Sequence, residues 1–173
     1  MSRRAPSTPD EHKAAAPATV GCFVLTVSDT RTPETDTGGA VIRELLTGGG
    51  HTVVASRIVR DEPADVARVV REACADARVQ VVILTGGTGI TSRDSTFEAV
   101  EALLDKRLPG FGELFRVLSY EQVGAAAMLS RAQMGIHARR IVVSLPGSPN
   151  ACRLALEKLL LPELGHLVRE AGR

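Results

Sequence analysis

The sequence predicts an α/β fold, a three-layer sandwich with a mostly parallel central sheet. Near-continuous apolar runs occupy residues 20–27, 81–84 and 140–145, as expected for strands that are covered on both faces. Segments with helical periodicity separate these runs, and alternation of strands with helices favours a parallel sheet between two helical layers. Most of the polar and glycine-rich loops follow strands. We therefore expect them to meet along one edge of the sheet, where α/β proteins bind ligands.

Length and composition indicate one compact domain of 173 residues, 44% of them hydrophobic. The net charge is +1, acidic and basic residues are interspersed, and aromatic residues make up only 3%, which argues against a nucleic-acid-binding surface. No apolar run reaches the ~20 residues of a membrane span, and the N-terminus lacks the apolar core of a signal peptide. We therefore expect a cytoplasmic protein with neither a nucleic acid nor a membrane as partner.

The three cysteines are expected to be structural. Cys22 and Cys74 lie in apolar patterns, and no CxxC pair is present, which disfavours a zinc knuckle or a redox motif. Cys152 lies near a predicted helix start, where a thiol pKa can fall, but a structural function is favoured there too. An odd number of cysteines without a secretory signal fits a reducing cytoplasm.

Residues 1–19 are polar with alanine and proline, which predicts a disordered tail, and residues 20–173 are expected to form the folded domain. A flexible polar loop over 28–37 follows the first strand. Asp36 or Thr37 is predicted to cap the helix that begins after it.

The second predicted strand, residues 51–60, is more alternating than the first, and an amphipathic helix follows it. Asp61 and Glu62 lie between these two elements. Two explanations for Asp61 stay open: it caps the following helix, or it is a functional carboxylate at the end of a strand.

The central stretch, residues 81–94, reads VVILTGGTGITSRD. It predicts a buried strand, a glycine loop that permits positive φ and close approach of a ligand, and a helix start that Asp94 or Ser95 caps. Backbone N–H groups at such a junction can hold an anion, although a tight turn would have the same composition. A carboxylate at Asp94 would repel a phosphate unless a cation lies between them. Mg²⁺ typically binds one or two carboxylates plus substrate phosphates, so the stretch suggests a metal-bridged phosphate or nucleotide site.

Periodicity in the second half predicts a helix over about 97–104, a loop over 108–113, and a helix over about 113–122. A final helix is predicted over about 150–168, which Pro162 kinks or divides. The predicted order of elements is therefore β α β α β α α β α.

Residues 125–132, AAAMLSRA, form a small apolar segment that Ser130 and Arg131 interrupt. A charged side chain in such a segment needs partners, so it marks either the wall of a site or a salt bridge within the fold. A second strand–loop–helix junction, rich in proline and glycine, is predicted at 146–150.

Five motifs occur together and in order: TVSDTR at 26–31, LTGGTGITSRD at 84–94, PGFGELFR at 109–116, AAMLSRA at 126–132 and LPGSPNA at 145–151. With them the chain strongly resembles the MoaB/MogA family of molybdenum cofactor biosynthesis proteins, which includes the G domain of gephyrin, and the MoaB branch is the most similar. The resemblance covers roughly residues 20–168. It implies a molybdopterin-binding α/β fold that assembles as trimers or hexamers.

The resemblance also implies an activity, Mg²⁺-dependent molybdopterin adenylyl transfer, in which ATP and molybdopterin give adenylyl-molybdopterin and pyrophosphate. A MoeA-type insertase would be the partner that uses the product. An alternative within the family is a non-catalytic protein that binds and delivers molybdopterin. The transferring phosphate is already an anion and needs no strong base, so an aspartate in this site is better explained as a metal ligand than as a proton acceptor.

Site residues follow from the motifs position by position. Asp94 and Asp61 match the two catalytic aspartates and are the expected Mg²⁺ ligands. The expected ligand-lining residues are Ser28, Asp29, Gly86, Gly87, Thr88, Gly89, Gly110, Gly112, Glu113, Ser130, Pro146, Gly147, Ser148 and Pro149.

Overall fold

A computed structural model describes residues 16–173, so residues 1–15 of the predicted tail lie outside the described part of the chain. One sheet contains strands β1 (Gly21–Val27), β2 (Thr52–Val59), β3 (Val81–Thr85), β4 (Lys106–Arg107), β5 (Gln133–His137) and β6 (Arg140–Leu145). The strand order is β2-β1-β3-β6-β5-β4. The pairs among β2, β1, β3 and β6 are parallel, and β5 pairs antiparallel with both β6 and β4.

The α-helices are α1 (Thr37–Gly48), α2 (Pro63–Ala75), α3 (Thr96–Glu101), α4 (Pro109–Val123), α5 (Pro149–Ala155) and α6 (Leu164–Ala171). A 3-10 helix spans Gly124–Leu129, and a π-helical turn spans Leu156–Leu160. Helices α1, α4, α5 and α6 pack on one face of the sheet, and α2 and α3 pack on the other. This arrangement confirms the predicted three-layer α/β fold with a mostly parallel sheet.

The two central strands explain the continuous apolar runs. In β1, Val24 faces the layer of α1 while Leu25 faces that of α2, and both side chains are fully buried. Both faces of these strands therefore need apolar residues. Strand β2 lies at the sheet edge and is partly exposed along its length, which accounts for its more alternating sequence.

The sequence analysis missed β4 and β5. The hairpin between β5 and β6 turns through Ala138 and Arg139, whose φ angles are 48° and 62°. Such turns usually contain Asn-Gly, and because this one does not, no signal in the sequence indicated the hairpin. Strand β4 has only two residues. A Cβ on Gly135 of β5 would overlap the carbonyl oxygen of Lys106 in β4, so glycine is what lets these strands approach.

Two predicted boundaries are wrong and one is confirmed. The predicted loop over 108–113 is mostly the first turn of α4, which begins at Pro109 because proline suits the first helical position. Helix α3 ends at Glu101, short of the predicted 104. The C-terminal helix is divided as predicted, with Pro162 in the turn before α6.

The cysteines are buried, as expected for structural residues. Burial raises the pKa of the Cys22 thiol to about 12 and the pKa values of Cys74 and Cys152 to about 11. Cys152 thus has the opposite of the lowered thiol pKa that a helix start can cause. All three stay protonated at neutral pH. No helix within the described residues combines the length and apolar character needed to cross a bilayer.

The parallel part of the sheet brings three loops to one edge. The Ser28 N–H donates to the Val59 carbonyl at 2.8 Å, and the Gly86 N–H donates to the Leu145 carbonyl at 3.0 Å. Asp36 ends the first loop and caps α1, as predicted, by accepting a hydrogen bond from the Gly39 N–H at 2.9 Å. The loops after β1, β3 and β6 therefore surround one space.

Candidate functional site

A cavity of about 750 Å³ lies among these three loops, at the carboxyl ends of β1, β3 and β6. We call it the main cavity. It brings together most of the residues that the sequence motifs single out: Ser28, Gly86, Gly87, Thr88, Gly89, Asp94, Ser130, Pro146, Gly147, Ser148 and Pro149. Its walls therefore combine exposed loop backbone with hydroxyl groups and one carboxylate from the central stretch.

The glycines of the central loop are required by both conformation and space. Gly86 and Gly87 have φ angles of +103° and +64°, in the region that favours glycine. A Cβ on Gly86 would overlap the Val27 carbonyl oxygen, and one on Gly87 would overlap the Thr96 hydroxyl and the Asp61 carboxylate. The loop backbone is thus held against the sheet edge while it lines the main cavity.

Asp94 lines the main cavity with an ionised carboxylate. Its Oδ2 accepts hydrogen bonds from the Thr91 hydroxyl at 2.6 Å and from the Thr91 N–H at 2.8 Å. The bond from the Thr91 hydroxyl is the largest of the effects that hold the Asp94 pKa below its usual value, and burial acts in the opposite direction. A fixed negative charge therefore lies beside the glycine loop.

Asp61 is buried at the edge of this arrangement and is not among the residues that line the main cavity. Its Oδ1 accepts hydrogen bonds from the Ser95 hydroxyl at 2.7 Å and the Ser95 N–H at 3.3 Å. The capping explanation for Asp61 is wrong, because Glu62 occupies the N-cap of α2, without a side-chain hydrogen bond. Ser95 occupies the N-cap of α3, but its hydroxyl donates to Asp61 and makes no capping hydrogen bond to the helix.

Asp29 takes part in a polar link between loops. The Arg93 guanidinium donates to its Oδ2 at 2.7 Å, and this bond lowers the Asp29 pKa. Its Oδ1 accepts from the Asp61 N–H at 3.3 Å. Asp29 lines a neighbouring cavity and not the main one. Its charge is therefore already paired within the protein.

The α4 residues of the predicted site lie elsewhere. Gly112 and Glu113 line a smaller cavity of about 300 Å³, and Ser130 lines both this cavity and the main one. Gly110 is exposed and lines neither. Ser130 is the point at which the two spaces adjoin.

Arg131 connects the glycine loop, the Asp94 backbone and α3. Its Nε donates to the Thr88 carbonyl at 3.3 Å, and its Nη2 donates to the Asp94 carbonyl at 3.2 Å. The guanidinium also pairs with Glu98 and lies 5.1 Å from the centroid of the Phe97 ring. The salt bridge suggested by the sequence is therefore present, and Arg131 lines the smaller cavity and not the main one.

Three polar residues that line the main cavity, Thr26, Asp36 and Thr85, were not assigned to this site from the sequence. Asp36 is 4% exposed, and its Oδ2 accepts from the Thr26 hydroxyl at 2.9 Å and from Arg43 at 3.2 Å. The Thr85 hydroxyl donates to the Pro146 carbonyl at 3.1 Å and so joins β3 to the loop after β6. Position was the available signal for Thr26 and Thr85, which lie at the ends of β1 and β3, whereas Asp36 is the N-cap of α1.

The donor set can be compared with what Mg²⁺ needs. Within residues 16–173 no group of three or more His, Cys, Asp or Glu side chains is placed to hold a metal ion. Mg²⁺ commonly uses one or two protein carboxylates and takes its other ligands from phosphates and water. Asp94, ionised and lining the main cavity, fits that pattern, whereas the buried Asp61 carboxylate does not line it. The site thus fits Mg²⁺ that arrives with a phosphate ligand.

Comparison with known proteins agrees with this architecture. Residues 23–166 match the sequence profile of a family described as "Probable molybdopterin binding domain". The chain is 52% identical over 164 residues to molybdenum cofactor biosynthesis protein B of Bacillus cereus, covering 94% of this chain and 97% of that protein. It is 48% identical over 162 residues to the protein of that name from Halalkalibacterium halodurans, covering 93% and 95%.

Solved structures show the same similarity. A crystal structure of a molybdenum cofactor biosynthesis protein B superposes with a TM-score of 0.87 at 51% identity, covering 90% of this chain and 98% of that one. The tungsten cofactor synthesizing protein MoaB from Pyrococcus furiosus superposes with a TM-score of 0.79 at 41% identity, covering 91% and 100%. Sequence and fold lead to one conclusion: the chain belongs to the MoaB/MogA family.

Proposed function

We propose that this protein acts in molybdenum cofactor biosynthesis, binds molybdopterin in the main cavity, and transfers AMP from ATP to the terminal phosphate of the pterin. The products would be adenylyl-molybdopterin and pyrophosphate. One observation carries the proposal: the ionised Asp94 carboxylate lies beside Gly89 of the glycine loop and lines a single large cavity with it. Family membership and the names of the relatives support the wider function in cofactor biosynthesis.

The chemistry needs positioning and charge neutralisation more than proton transfer. A phosphate oxygen of molybdopterin attacks the α-phosphorus of ATP, a new P–O bond forms, and the bond to the β-phosphate breaks as pyrophosphate leaves with the electron pair. Because the attacking oxygen is already anionic, no residue has to act as a strong base. Bound Mg²⁺ would supply positive charge against the phosphate oxygens, and Asp94 is the residue that would hold it.

Other residues of the main cavity orient the substrates. The backbone of the glycine loop is open to phosphate oxygens, and N–H donors fixed in place stabilise charge that develops during transfer. Ser130 and Ser148 also line the main cavity. Arg131 fixes the loop by binding the Thr88 carbonyl.

The resemblance assigns Asp61 to catalysis and metal binding. In this proposal Asp61 is instead a positioning residue. Its carboxylate holds Ser95 at the start of α3 and lies against the Cα atom of Gly87. It thereby sets the distance between the glycine loop and the segment that carries Asp94.

Non-catalytic binding and delivery of molybdopterin is the second candidate. One observation favours it: the described residues contain no preformed group of three metal-binding side chains. Under this alternative the Asp94 carboxylate would only stabilise the turn in which it lies, by accepting the hydrogen bonds from Thr91. It would contribute nothing to AMP transfer.

The proposal is tested by incubating the purified protein with molybdopterin, ATP and Mg²⁺ and by quantifying adenylyl-molybdopterin and pyrophosphate. We expect both products in equal amounts, and none when either substrate is left out. The Asp94→Asn variant should lose most of the activity, whereas Asp65→Asn on the exposed side of α2 should keep it. Molybdopterin binding without either product would establish the second candidate instead.

Self-association is part of the proposal. Large apolar side chains are exposed at every third position along α4, namely Leu114, Val117, Tyr120 and Val123, and Met128 of the 3-10 helix extends this surface. An apolar surface of this kind usually marks a protein–protein interface. A further copy of the chain is the occupant we propose, in the trimeric or hexameric assembly that the family resemblance implies. The MoeA-type partner and the cytoplasmic location stay predictions from the sequence.

A further inference from the structure

A second large cavity adjoins the main one. It measures about 710 Å³ and lies on the other side of the loop between β1 and α1, and Ser28, Arg31 and Asp36 line both spaces. Arg43 and Arg60 line the second space only. We call it the arginine cavity.

Most carboxylates near the arginine cavity are already paired. Asp29 binds Arg93 at 2.7 Å. Asp36 accepts a hydrogen bond from Arg43 at 3.2 Å, and it also accepts one from the Thr26 hydroxyl. The negative charge at this end of the sheet is therefore matched by protein donors.

Two arginines keep their positive charge uncompensated. The Arg31 guanidinium donates only to the Thr35 carbonyl, at 2.8 Å, and no carboxylate of the described residues lies within ion-pair distance of it. The Arg60 side chain makes neither a hydrogen bond nor an ion pair within residues 16–173, although it is near enough to Asp29 to lower the pKa of that carboxyl. Arg43 uses one Nη for Asp36 and keeps further donors.

Arg57 also borders this space but is engaged elsewhere. It pairs with Glu72 of α2 at 2.9 Å and lies 5.9 Å from the centroid of the Phe23 ring, on the face of the sheet opposite α1. The free cationic groups of the arginine cavity are thus those of Arg31, Arg60 and, in part, Arg43.

The main cavity has the opposite charge balance. Its charged lining residues are Arg31, Asp36 and Asp94, and although Asp36 is paired with Arg43, Arg31 is the one cation among them. The proposed reaction must bring a triphosphate and a pterin phosphate into this region. One Mg²⁺ near Asp94 cannot neutralise both substrates, so the polyphosphate needs further cations from the protein.

We infer that the arginine cavity binds the β- and γ-phosphates of ATP and holds pyrophosphate before it is released. The α-phosphorus then lies in the main cavity near Asp94, and Arg31 on the shared wall contacts the polyphosphate between the two spaces. Arginine suits this task because its guanidinium forms paired, charge-assisted hydrogen bonds with phosphate. The inference rests on the proposed function, because it names the subsite for one of the two substrates.

Calorimetry of pyrophosphate, ATP and AMP binding in the presence of Mg²⁺ tests the inference. Arg60→Gln removes an exposed charge that makes no hydrogen bond within the described residues, so the fold should be unaffected. We expect it to weaken binding of pyrophosphate and ATP roughly fivefold to tenfold, the size of one charge-assisted contact at a partly exposed site. AMP lacks the β- and γ-phosphates, and its affinity should not change.

The matched control is Arg71→Gln, which removes an equal charge from the exposed side of α2, away from both cavities. It should leave all three affinities unchanged. Equal weakening by both variants, unchanged pyrophosphate affinity in Arg60→Gln, or no pyrophosphate binding by the wild type would each overturn the inference.

Molybdopterin binding and adenylyl transfer, measured on the same preparations, separate this inference from the proposed function. A protein that forms adenylyl-molybdopterin but binds pyrophosphate equally well in the wild type and Arg60→Gln refutes only the arginine subsite. A wild type that neither forms that product nor binds molybdopterin refutes the proposed function.

Discussion

The Ser95 hydroxyl donates a 2.7 Å hydrogen bond to the Asp61 carboxylate and so joins the end of β2 to the start of α3. Asp61 is only 8% exposed, so this bond satisfies a charge that would otherwise be costly to bury. Asp94 precedes Ser95 directly in the chain, and the bond therefore also fixes the segment that carries the proposed metal ligand.

Loss of this hydroxyl should destabilise the protein. Ser95→Ala leaves only the longer bond from the Ser95 N–H, and we expect the free energy of unfolding to fall by about 1–3 kcal/mol, as for other hydrogen bonds to buried charged groups. Urea denaturation measures the change. Ser92→Ala, in the exposed part of the same loop, is the control and should change stability little. Equal stability of both variants would show that Asp61 does not depend on Ser95.

The Gly87 position allows a sharper test of close packing. Gly87→Ala combines an unfavourable φ with overlap against Thr96 and Asp61, whereas Gly50→Ala adds a Cβ at φ +82° with no atom within 4 Å. We expect Gly87→Ala to be more destabilising by about 1–3 kcal/mol, the usual cost of overpacking. Thermal and urea unfolding of both variants provide the comparison. A similar loss for both would mean that only backbone strain matters at Gly87.

Sequence alone predicted the fold class because the central strands are buried on both faces and flanked by loops of distinctive composition. Alternation of strands and helices then placed the loops after β1, β3 and β6 along one edge, and Ser28, Gly86, Asp94 and Ser148 do line one cavity. These features depend on local pattern and on the rules of parallel sheets.

Side-chain partners and the antiparallel edge were beyond prediction from one sequence. The bond between Asp61 and Ser95 joins residues 34 positions apart, so no local pattern reports it. Strands β4 and β5 are short, and a glycine forms the close approach between them. The arginine cavity is assembled from α1, β2 and the loop after β1, so its charge balance emerges only in three dimensions.

Asp94 should titrate below the usual aspartate range in the metal-free protein. The Thr91 hydroxyl lowers the Asp94 pKa from its ordinary value, about 3.9 in unfolded chains. A lowered folded-state pKa stabilises the fold above the unfolded-state pKa, and this contribution is lost as the pH falls through the folded-state pKa. Thr91→Val should therefore raise the Asp94 pKa and shift this loss of stability to higher pH. Carboxyl ¹³C NMR titration of metal-free protein measures it. An unchanged Asp94 pKa in the variant would exclude the hydroxyl as its cause.

Charge placed on the exposed apolar surface of α4 should prevent self-association. Tyr120 is 63% exposed and lies beside Val117 and Met128. Tyr120→Glu should shift the protein from an oligomer to a monomer in sedimentation velocity, because a carboxylate without a partner is costly to bury in an apolar interface. Arg71→Glu on α2 controls for added negative charge and should leave the assembly intact. A monomeric wild type, or an oligomer that survives Tyr120→Glu, would contradict the proposed interface.

The most direct test of the central claim is to measure molybdopterin binding and adenylyl transfer side by side for the wild type and Asp94→Ala. We expect the wild type to convert ATP and molybdopterin to adenylyl-molybdopterin. Asp94→Ala should still bind molybdopterin but lose roughly a hundredfold or more in rate, as when a group that stabilises transition-state charge is removed. Equal transfer by both proteins, or tight molybdopterin binding by both without any transfer, would contradict the proposed function of Asp94 and of the cavity that contains it.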